Sequence, residues 1–375
     1  MASLEPPRGG RRPYLDWLRG IAVVAMILGH GVDSWTLDAD RGGAGYRRSL
    51  FVSGIGAAPV FLCLAGVALA LASGARRRAG RLDAEVAALA RARGWQVFGL
   101  ALLFRLQSWV LGGGDPRRML KVDILNIMGL SMLAAALLWF LTRHPMMRVA
   151  TLAVAAVTTA MVTPIVRAAG SLAFLPDPIE AYLRPAAGAT FSLFPWAGFV
   201  FAGCAVGAWL DKAQTPQDER KAHATLALVG VATALIGYGT SFLPPMYEQT
   251  SFWGSSPTFF FARLGIVLCL FPVAYAWCGR GSDPSRLARF GQSSLLVYWV
   301  HVELTYGVVS TPLHRGLSLE VALLGVVLLS LLMYALVHVK LRVEETRRSR
   351  PPEGHRSIRD PGMAQSESQG GARHR

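Results

Sequence analysis

Apolar stretches recur along most of the chain, and short polar or charged segments separate them. Most stretches are about 20 residues long, the length that an α-helix needs to cross the hydrocarbon core of a bilayer. The pattern predicts an all-α fold, a polytopic integral membrane protein with about ten transmembrane helices. In chain order, the predicted spans are 15–35, 51–73, 94–112, 122–141, 148–168, 188–210, 224–243, 257–278, 291–311 and 319–341.

The polar ends of the chain set the expected domain limits. The residues after position 342 are charged and rich in Gly, Ser and Pro, a composition that buries too little apolar surface to fold. We therefore expect one transmembrane domain, preceded by a short cytoplasmic segment and followed by a disordered cytoplasmic tail. Their bounds are 14–342, 1–13 and 343–375.

Composition excludes an ordinary soluble domain. Only 16% of the 375 residues are charged, whereas about 25% are charged in a typical soluble protein. The net charge of +15 suggests nucleic-acid binding at first sight, but no recognition motif accompanies it. In a membrane protein, Lys and Arg collect in cytoplasmic loops, so we expect a lipid bilayer and no nucleic acid as partner.

The loop charges predict the orientation. If ten spans alternate, most basic residues fall on one side, and the positive-inside rule places both termini in the cytoplasm. The segment 81–93, on that side, is expected to form a short amphipathic helix at the membrane surface. The basic residues of that side are Arg8, Arg11, Arg12, Arg76, Arg77, Arg78, Arg81, Arg91, Arg93, Lys212, Arg220, Lys221, Arg280, Arg286, Arg289, Lys340, Arg342, Arg347, Arg348 and Arg350.

The cysteines give no sign of a disulfide framework or a metal site. All four lie in apolar segments and none forms a CxxC pair, so they are expected to be small buried hydrophobic residues. We expect no bound metal. The four are Cys63, Cys204, Cys269 and Cys278.

Span one carries charged residues that are costly inside a membrane and therefore indicate function. Arg19 and His30 are eleven residues apart, close to three helical turns, so they share a face about 16 Å apart along the axis. Asp33 lies three residues after His30 on the same face. A carboxylate beside an imidazole favours a general base, although a packing pair at a helix end explains these two residues equally well.

Spans three, four and nine add polar residues at a similar depth. Arg105 and Gln107 lie in span three, and Asp123 lies near the outer end of span four, where it can pair with Arg105 as a structural or a catalytic ion pair. Span nine contains His301 and Glu303. These two residues are about 200° apart on an ideal helix, so they should not face one site.

Together these residues predict a polar cavity in the outer half of the membrane, with Arg19 at its inner end. This distribution fits a reaction that uses a cytosolic donor and an outward-facing acceptor. It also fits a proton-coupled transporter or flippase. The absence of a convincing internal repeat weakens the transporter interpretation, and a non-catalytic scaffold would not need so many intramembrane charges.

Several segments resemble known acyltransferases. LDWLRGIAVVAMILGH is similar to the first span of the transmembrane acyltransferase superfamily, and Arg19 and His30 reproduce the Arg-x10-His spacing of its acyltransferase-3 group. Four other segments resemble the heparan-α-glucosaminide N-acetyltransferase catalytic-domain family in its bacterial form. They are APVFLCLAGVALAL at 58–71, DILNIMGLSML at 123–133, FPWAGFVFAGCAVGAWL at 194–210 and GQSSLLVYWVHVELTYG at 291–307.

The resemblance implies a multi-pass acyltransferase of the bacterial cytoplasmic membrane. It implies transfer of an acyl group, usually acetyl, from cytosolic acyl-CoA to a hydroxyl or amine of a carbohydrate or glycolipid acceptor on the outer side. It leaves homo-oligomerisation open. On this pattern His30 is the catalytic histidine, Arg19 helps to hold the CoA end, and His301 matches a histidine of a late span.

The animal heparan enzyme has Asn at the position of His30 and its catalytic His in the segment after that span. The corresponding segment here, LDADRGGAGYRRS, has no His, so the role of His30 follows the acyltransferase-3 pattern. We expect His30, oriented by Asp33, to deprotonate the acceptor, and His301 to stabilise the oxyanion or relay a proton. The expected cavity residues are Arg105, Gln107, Asp123 and Glu303.

Overall fold

The helices of this protein are described by a computed structural model that covers residues 12–186, 189–279 and 285–349. The described residues form no β-strand, which confirms the all-α prediction. The α-helices are α1 (Pro13–Trp35), α2 (Ala44–Gly56), α3 (Ala58–Arg78), α4 (Asp83–Gly112), α5 (Ile124–Leu141), α6 (Pro145–Ala168), α7 (Asp177–Leu183), α8 (Leu193–Asp211), α9 (Pro216–Thr240), α10 (Pro257–Gly279), α11 (Ser285–Gln292), α12 (Ser294–Tyr306) and α13 (Leu319–Ser349). Short 3₁₀-helices lie at Pro116–Leu120, Gly170–Phe174 and Val308–Leu313.

Eight segments of the described chain are long and apolar enough to cross a membrane. This confirms a multi-pass membrane protein, but two of the ten predicted spans are not among the eight. The helix of predicted span nine, α12, has only 13 residues, or about 20 Å of length. The helix of predicted span three, α4, is long enough, but Arg105 and Gln107 interrupt its apolar stretch.

Two helices have bounds that differ from the expected ones. The segment 81–93 is not a separate surface helix, because α4 runs without a break from Asp83 to Gly112. The C-terminal helix α13 continues past residue 342 to Ser349, and Lys340 supports it by pairing with Glu344 one turn later at 3.6 Å. The rest of the predicted tail, and residues 1–11 of the N-terminal segment, lie outside the described residues.

Close backbone contact joins α3 and α8 at the centre of the bundle. A Cβ atom on Gly203 would lie 1.9 Å from the carbonyl oxygen of Cys63, and one on Gly66 would lie 2.1 Å from that of Val200. Small residues let membrane helices approach in this way, because packing rather than hydrophobic exclusion holds them together. The thiols of Cys63 and Cys204 are free and buried in this contact.

One end of the bundle gathers the predicted cytoplasmic segments. Arg12 donates hydrogen bonds to the carbonyl oxygens of Leu210 (2.8 Å) and Ala213 (3.2 Å) and pairs with Glu219 at 3.1 Å. Arg78, at the end of α3, pairs with Asp211 at the end of α8. These contacts bring together the start of α1, the ends of α3 and α8 and the start of α9. We call this the basic end, and its place in the cytoplasm remains the prediction of the positive-inside rule.

At the opposite end, backbone hydrogen bonds tie the end of α1 to the loop after α12. The amide of Leu37 donates to the carbonyl of Leu317 (2.8 Å), and the amide of Leu317 donates to the carbonyl of Trp35 (3.0 Å). The hydroxyl of Ser34 donates to the carbonyl of Thr305 at 2.7 Å. These bonds hold α12 beside α1 although the two helices are far apart in sequence.

The contact between α3 and α8 can be tested by adding one methyl group. Gly203→Ala should lower the midpoint of thermal unfolding in detergent, because the new Cβ meets backbone that must move. Overpacking of this kind costs about 1–3 kcal/mol. Gly99→Ala is the matched control, since a Cβ atom on this exposed glycine of α4 would meet no other group within 4 Å. Equal midpoints for the two variants would contradict the packing described here.

Candidate functional site

A cavity of about 1110 Å³ opens at the end of the bundle opposite the basic end. Its walls come from α1, α2, α4, α8, α10 and α12, and they include Ala58 at the start of α3 and Ile124 at the start of α5. Most of the predicted polar residues meet here, as the sequence indicated. The ionisable side chains on its wall include His30, Asp33, Arg105, Asp123, Arg263 and Glu303.

Two histidines from distant parts of the chain form a pair at the wall of this cavity. Nδ1 of His30 lies 3.0 Å from Nε2 of His301. The two rings are stacked, with centroids 5.2 Å apart and planes 13° apart. His30 lines the cavity, whereas His301 is fully buried behind it.

The backbone determines which nitrogen carries each proton in the neutral pair. Nδ1 of His301 lies 2.6 Å from the carbonyl oxygen of Val297, which can only accept a hydrogen bond. The proton of neutral His301 is therefore on Nδ1, and its Nε2 accepts a hydrogen bond from Nδ1 of His30. This leaves Nε2 of His30 without a proton, in the state that a general base requires.

Glycines on both sides of His30 fix its position. A Cβ on Gly29 would lie 1.9 Å from the hydroxyl of Ser53 on α2, and one on Gly31 would lie 2.5 Å from Cγ2 of Val326 on α13. Neighbouring helices thus pack closely against α1 at the residues immediately before and after His30. The sequence Gly-His-Gly places a polar ring at a point where helices meet closely.

Asp33 binds residues at the mouth of the cavity. Its carboxylate accepts hydrogen bonds from the hydroxyls of Tyr306 (3.1 Å) and Tyr46 (3.3 Å) and pairs with Arg41 at 3.1 Å. The ring of Tyr306 meets the ring of His30 edge-on, with centroids 5.4 Å apart. Tyr306 therefore contacts both Asp33 and His30.

The predicted direct pairing of Asp33 with His30 was wrong. Asp33 is close to the end of α1, and the turn that follows brings the opposite charge of Arg41 to its carboxylate. His301 occupies the Nδ1 side of His30 instead. Shared helical face was a correct inference, but it did not determine which partner each side chain takes.

Asp123 joins three helices. The predicted pair with Arg105 is confirmed, with Nη2 of Arg105 3.2 Å from Oδ2 of Asp123. The same oxygen accepts a hydrogen bond from the hydroxyl of Tyr298 on α12 at 2.9 Å. Asp123 also caps the start of α5, because Oδ1 accepts from the amide of Ile124 while the side chain of Asn126 accepts from the Asp123 amide.

Gln107 does not line the cavity, contrary to the prediction. Its Oε1 accepts a hydrogen bond from Nε1 of Trp299 at 2.6 Å. Side chains two positions apart point about 200° away from each other around a helix. Gln107 therefore cannot share the face of Arg105. Glu303 does line the cavity, while His301 packs behind His30, and the predicted divergence of these two residues on α12 is confirmed.

Arg19 lies away from the cavity, in the half of α1 nearer the basic end. Its Nη1 lies 3.2 Å from Oδ1 of Asp16, one turn earlier. Because α1 is one continuous helix, Arg19 and His30 keep the spacing that the sequence predicts. A role for Arg19 in donor binding stays a prediction.

Arg263 and Tyr306 also line the cavity, although neither was among the predicted site residues. Arg263 donates to the carbonyl of Gly54 at 2.8 Å, and its guanidinium lies over the rings of Trp196 and Phe259. Tyr306 was also missed. The sequence could have indicated Tyr306, because Tyr298, Val302 and Tyr306 follow one another at intervals of four residues along α12. All three line the cavity.

The network at Asp123 predicts a specific pattern of stability. Asp123→Ala should lower the midpoint of thermal unfolding, because it removes a helix cap worth about 1 kcal/mol and leaves Arg105 without its carboxylate. Adding Arg105→Ala to Asp123→Ala should cost less than the sum of the two single variants. Additive losses in this double-mutant cycle would show that the pair does not stabilise the bundle.

Comparison with known proteins agrees with this arrangement. A family profile described as "Heparan-alpha-glucosaminide N-acetyltransferase, catalytic" matches residues 11–242, more than half of the chain. The matched region contains His30, Asp33, Arg105 and Asp123, and it ends before α10 and α12. Comparison with curated proteins gives no match. The chain belongs to the heparan-α-glucosaminide N-acetyltransferase catalytic-domain family.

Proposed function

We propose that this membrane protein transfers an acyl group, acetyl on the pattern of its family, from acyl-CoA to a hydroxyl or amine of a carbohydrate-like acceptor. Membership of an acetyltransferase family supports the class of reaction. The observation that carries the proposal is the hydrogen bond between His30 and His301 on the cavity wall. It makes Nε2 of His30 available as a base inside a space large enough for substrates.

The reaction needs one base that later acts as an acid. Nε2 of His30 takes the proton of the acceptor O–H or N–H, while the acceptor oxygen or nitrogen attacks the carbonyl carbon of the thioester. The tetrahedral intermediate then breaks its C–S bond, and His30 returns the proton to the departing CoA thiolate. The oxygen and nitrogen acceptors follow the same steps, so the acceptor atom is left open.

His301 is proposed as a positioning residue. When His30 carries the extra proton, its Nδ1–H becomes a charge-assisted donor to Nε2 of His301, which stabilises the imidazolium. Since that nitrogen of His301 is engaged with His30, oxyanion stabilisation is better attributed to cationic groups on the cavity wall. Arg105 and Arg263 both line the cavity and supply positive charge.

The size and lining of the cavity support a site for small-molecule substrates. Its volume of about 1110 Å³ lies near the upper end of the range of about 300–1,000 Å³ that is usual for such sites. Aromatic side chains, among them Trp109, Trp196 and Tyr306, lie beside the charged groups. Aromatic faces beside many polar groups suit a sugar, whose ring packs on the aromatic side chains while its hydroxyls stay hydrogen-bonded.

We also propose the direction of transfer. The positive-inside rule places the basic end in the cytoplasm, and the cavity opens at the other end of the bundle. Arg19 lies about 16 Å from His30 along α1, and we propose that it contacts the cytosolic acyl-CoA. In a bacterial cell the enzyme would lie in the cytoplasmic membrane and modify a glycan or glycolipid on the outer side.

His30→Ala should lower the rate of acyl transfer by about 10²–10⁴-fold, the usual contribution of a general base. The measurement is mass spectrometry of envelope glycans and lipids from a deletion strain, complemented with each variant at matched membrane levels. The wild type and the exposed-residue control His144→Ala should restore an acyl mass that the deletion removes. Restoration by His30→Ala would refute the mechanism.

No stabilisation of the purified protein by acetyl-CoA, together with uptake of a solute into vesicles, would favour transport instead.

A further inference from the structure

A second cavity, of about 430 Å³, lies at the basic end of the bundle. It is separate from the cavity at His30, because Ile124 lines one and Trp139 lines the other on the same helix α5. Fifteen residues of helix separate these positions by about 22 Å. We call it the basic pocket, and its charged lining residues are Arg77, Arg78, Arg148, Asp211 and Lys212.

Arg148 is the central cation of the basic pocket. It is only 5% exposed, and its Nε donates to the carbonyl oxygens of Trp139 (3.2 Å) and Thr142 (2.9 Å) at the end of α5. Its guanidinium also lies over the ring of Trp139. Within the described ranges of the chain, no carboxylate pairs with Arg148. Two carbonyl oxygens and an aromatic ring partly offset this buried charge, and an anion in the pocket would supply the counter-charge that they lack.

Lys212 is a second cation without a carboxylate partner among the residues that the structure describes. Its Nζ lies 2.9 Å from Sδ of Met146 and over the ring of Trp209. The carboxylate of Asp211 is engaged with Arg78, and Arg77 pairs with Asp83 at 2.7 Å. The pocket therefore keeps an excess of positive charge after its internal pairs are formed.

The N-terminus of α6 also lies at the basic pocket. Pro145, the first residue of the 24-residue helix α6, lines the pocket. The positive end of the helix dipole thus faces the same space as Arg148 and Lys212. A planar guanidinium, a flexible ammonium and a helix N-terminus together match a phosphate group better than a carboxylate, because phosphate offers more acceptor oxygens.

We infer that the basic pocket binds a phosphate group. Basic pockets between membrane helices at the cytoplasmic surface commonly take anionic lipid headgroups, and a soluble phosphate compound would present the same chemistry. Met146 and Met147, at the start of α6, are 42% and 56% exposed and provide apolar surface beside the pocket for acyl chains. The inference does not depend on acyl transfer at His30.

The test uses the full-length protein in phosphatidylcholine nanodiscs at constant ionic strength. One arm adds inorganic pyrophosphate, and the other replaces part of the lipid with phosphatidylglycerol. At least one arm should raise the midpoint of thermal unfolding through binding to the folded state. Arg148→Gln and Lys212→Gln should each weaken the apparent affinity by about tenfold or more. Arg220→Gln, which removes an exposed cation of α9 at the same end, should bind like the wild type.

The arms also identify the source of the phosphate. Stabilisation by phosphatidylglycerol alone indicates a lipid headgroup, and stabilisation by pyrophosphate indicates that a soluble phosphate compound suffices. No stabilisation in either arm would overturn the inference. It would also be overturned if Arg220→Gln lost as much apparent affinity as Arg148→Gln and Lys212→Gln. If Arg148→Gln does not fold, Lys212→Gln decides the question, and wild-type binding by that variant would contradict the site.

Discussion

A polar group inside a membrane protein needs a partner from the protein itself or from a water-filled cavity, because the hydrocarbon core supplies none. This constraint explains where the charged residues of this chain lie. Asp123 pairs with Arg105 and accepts a hydrogen bond from Tyr298 at the cavity that His30 lines. Arg12 meets Glu219 and two backbone carbonyls at the basic end. Between the two ends, close contacts of small residues such as Gly66 and Gly203 replace polar interactions.

The same constraint determines where the protons lie on the pair of His30 and His301. His301 is fully buried, and the carbonyl of Val297 fixes the position of its proton. The remaining nitrogen must accept a hydrogen bond, and His30 provides it. Buried His301 thereby determines which nitrogen of His30, the residue that faces the cavity, carries the proton. The hydrogen bonds that satisfy buried His301 also set the protonation of His30 that the proposed reaction needs.

Sequence reasoning succeeded where the information was local or strongly constrained. Apolar length predicted an all-helical membrane protein, and opposite charges near the ends of neighbouring spans predicted the pair of Arg105 and Asp123. It failed for contacts that depend on how helices pack. His30 and His301 are 271 residues apart, and helical periodicity gives a face but not the neighbour of that face. Asp33 was paired wrongly for this reason, since periodicity does not show that the turn containing Arg41 folds back onto α1.

The central claim is that His301 holds His30 with its proton on Nδ1 and leaves Nε2 free to act as a base. Nitrogen-15 NMR of the histidine-labelled protein in lipid bilayers measures this directly, with the His30 signals identified by their loss in His30→Ala. We predict a protonated Nδ1 and an unprotonated Nε2 on His30, with a coupling across the hydrogen bond to Nε2 of His301. A proton on Nε2 of His30, with no such coupling, would contradict it.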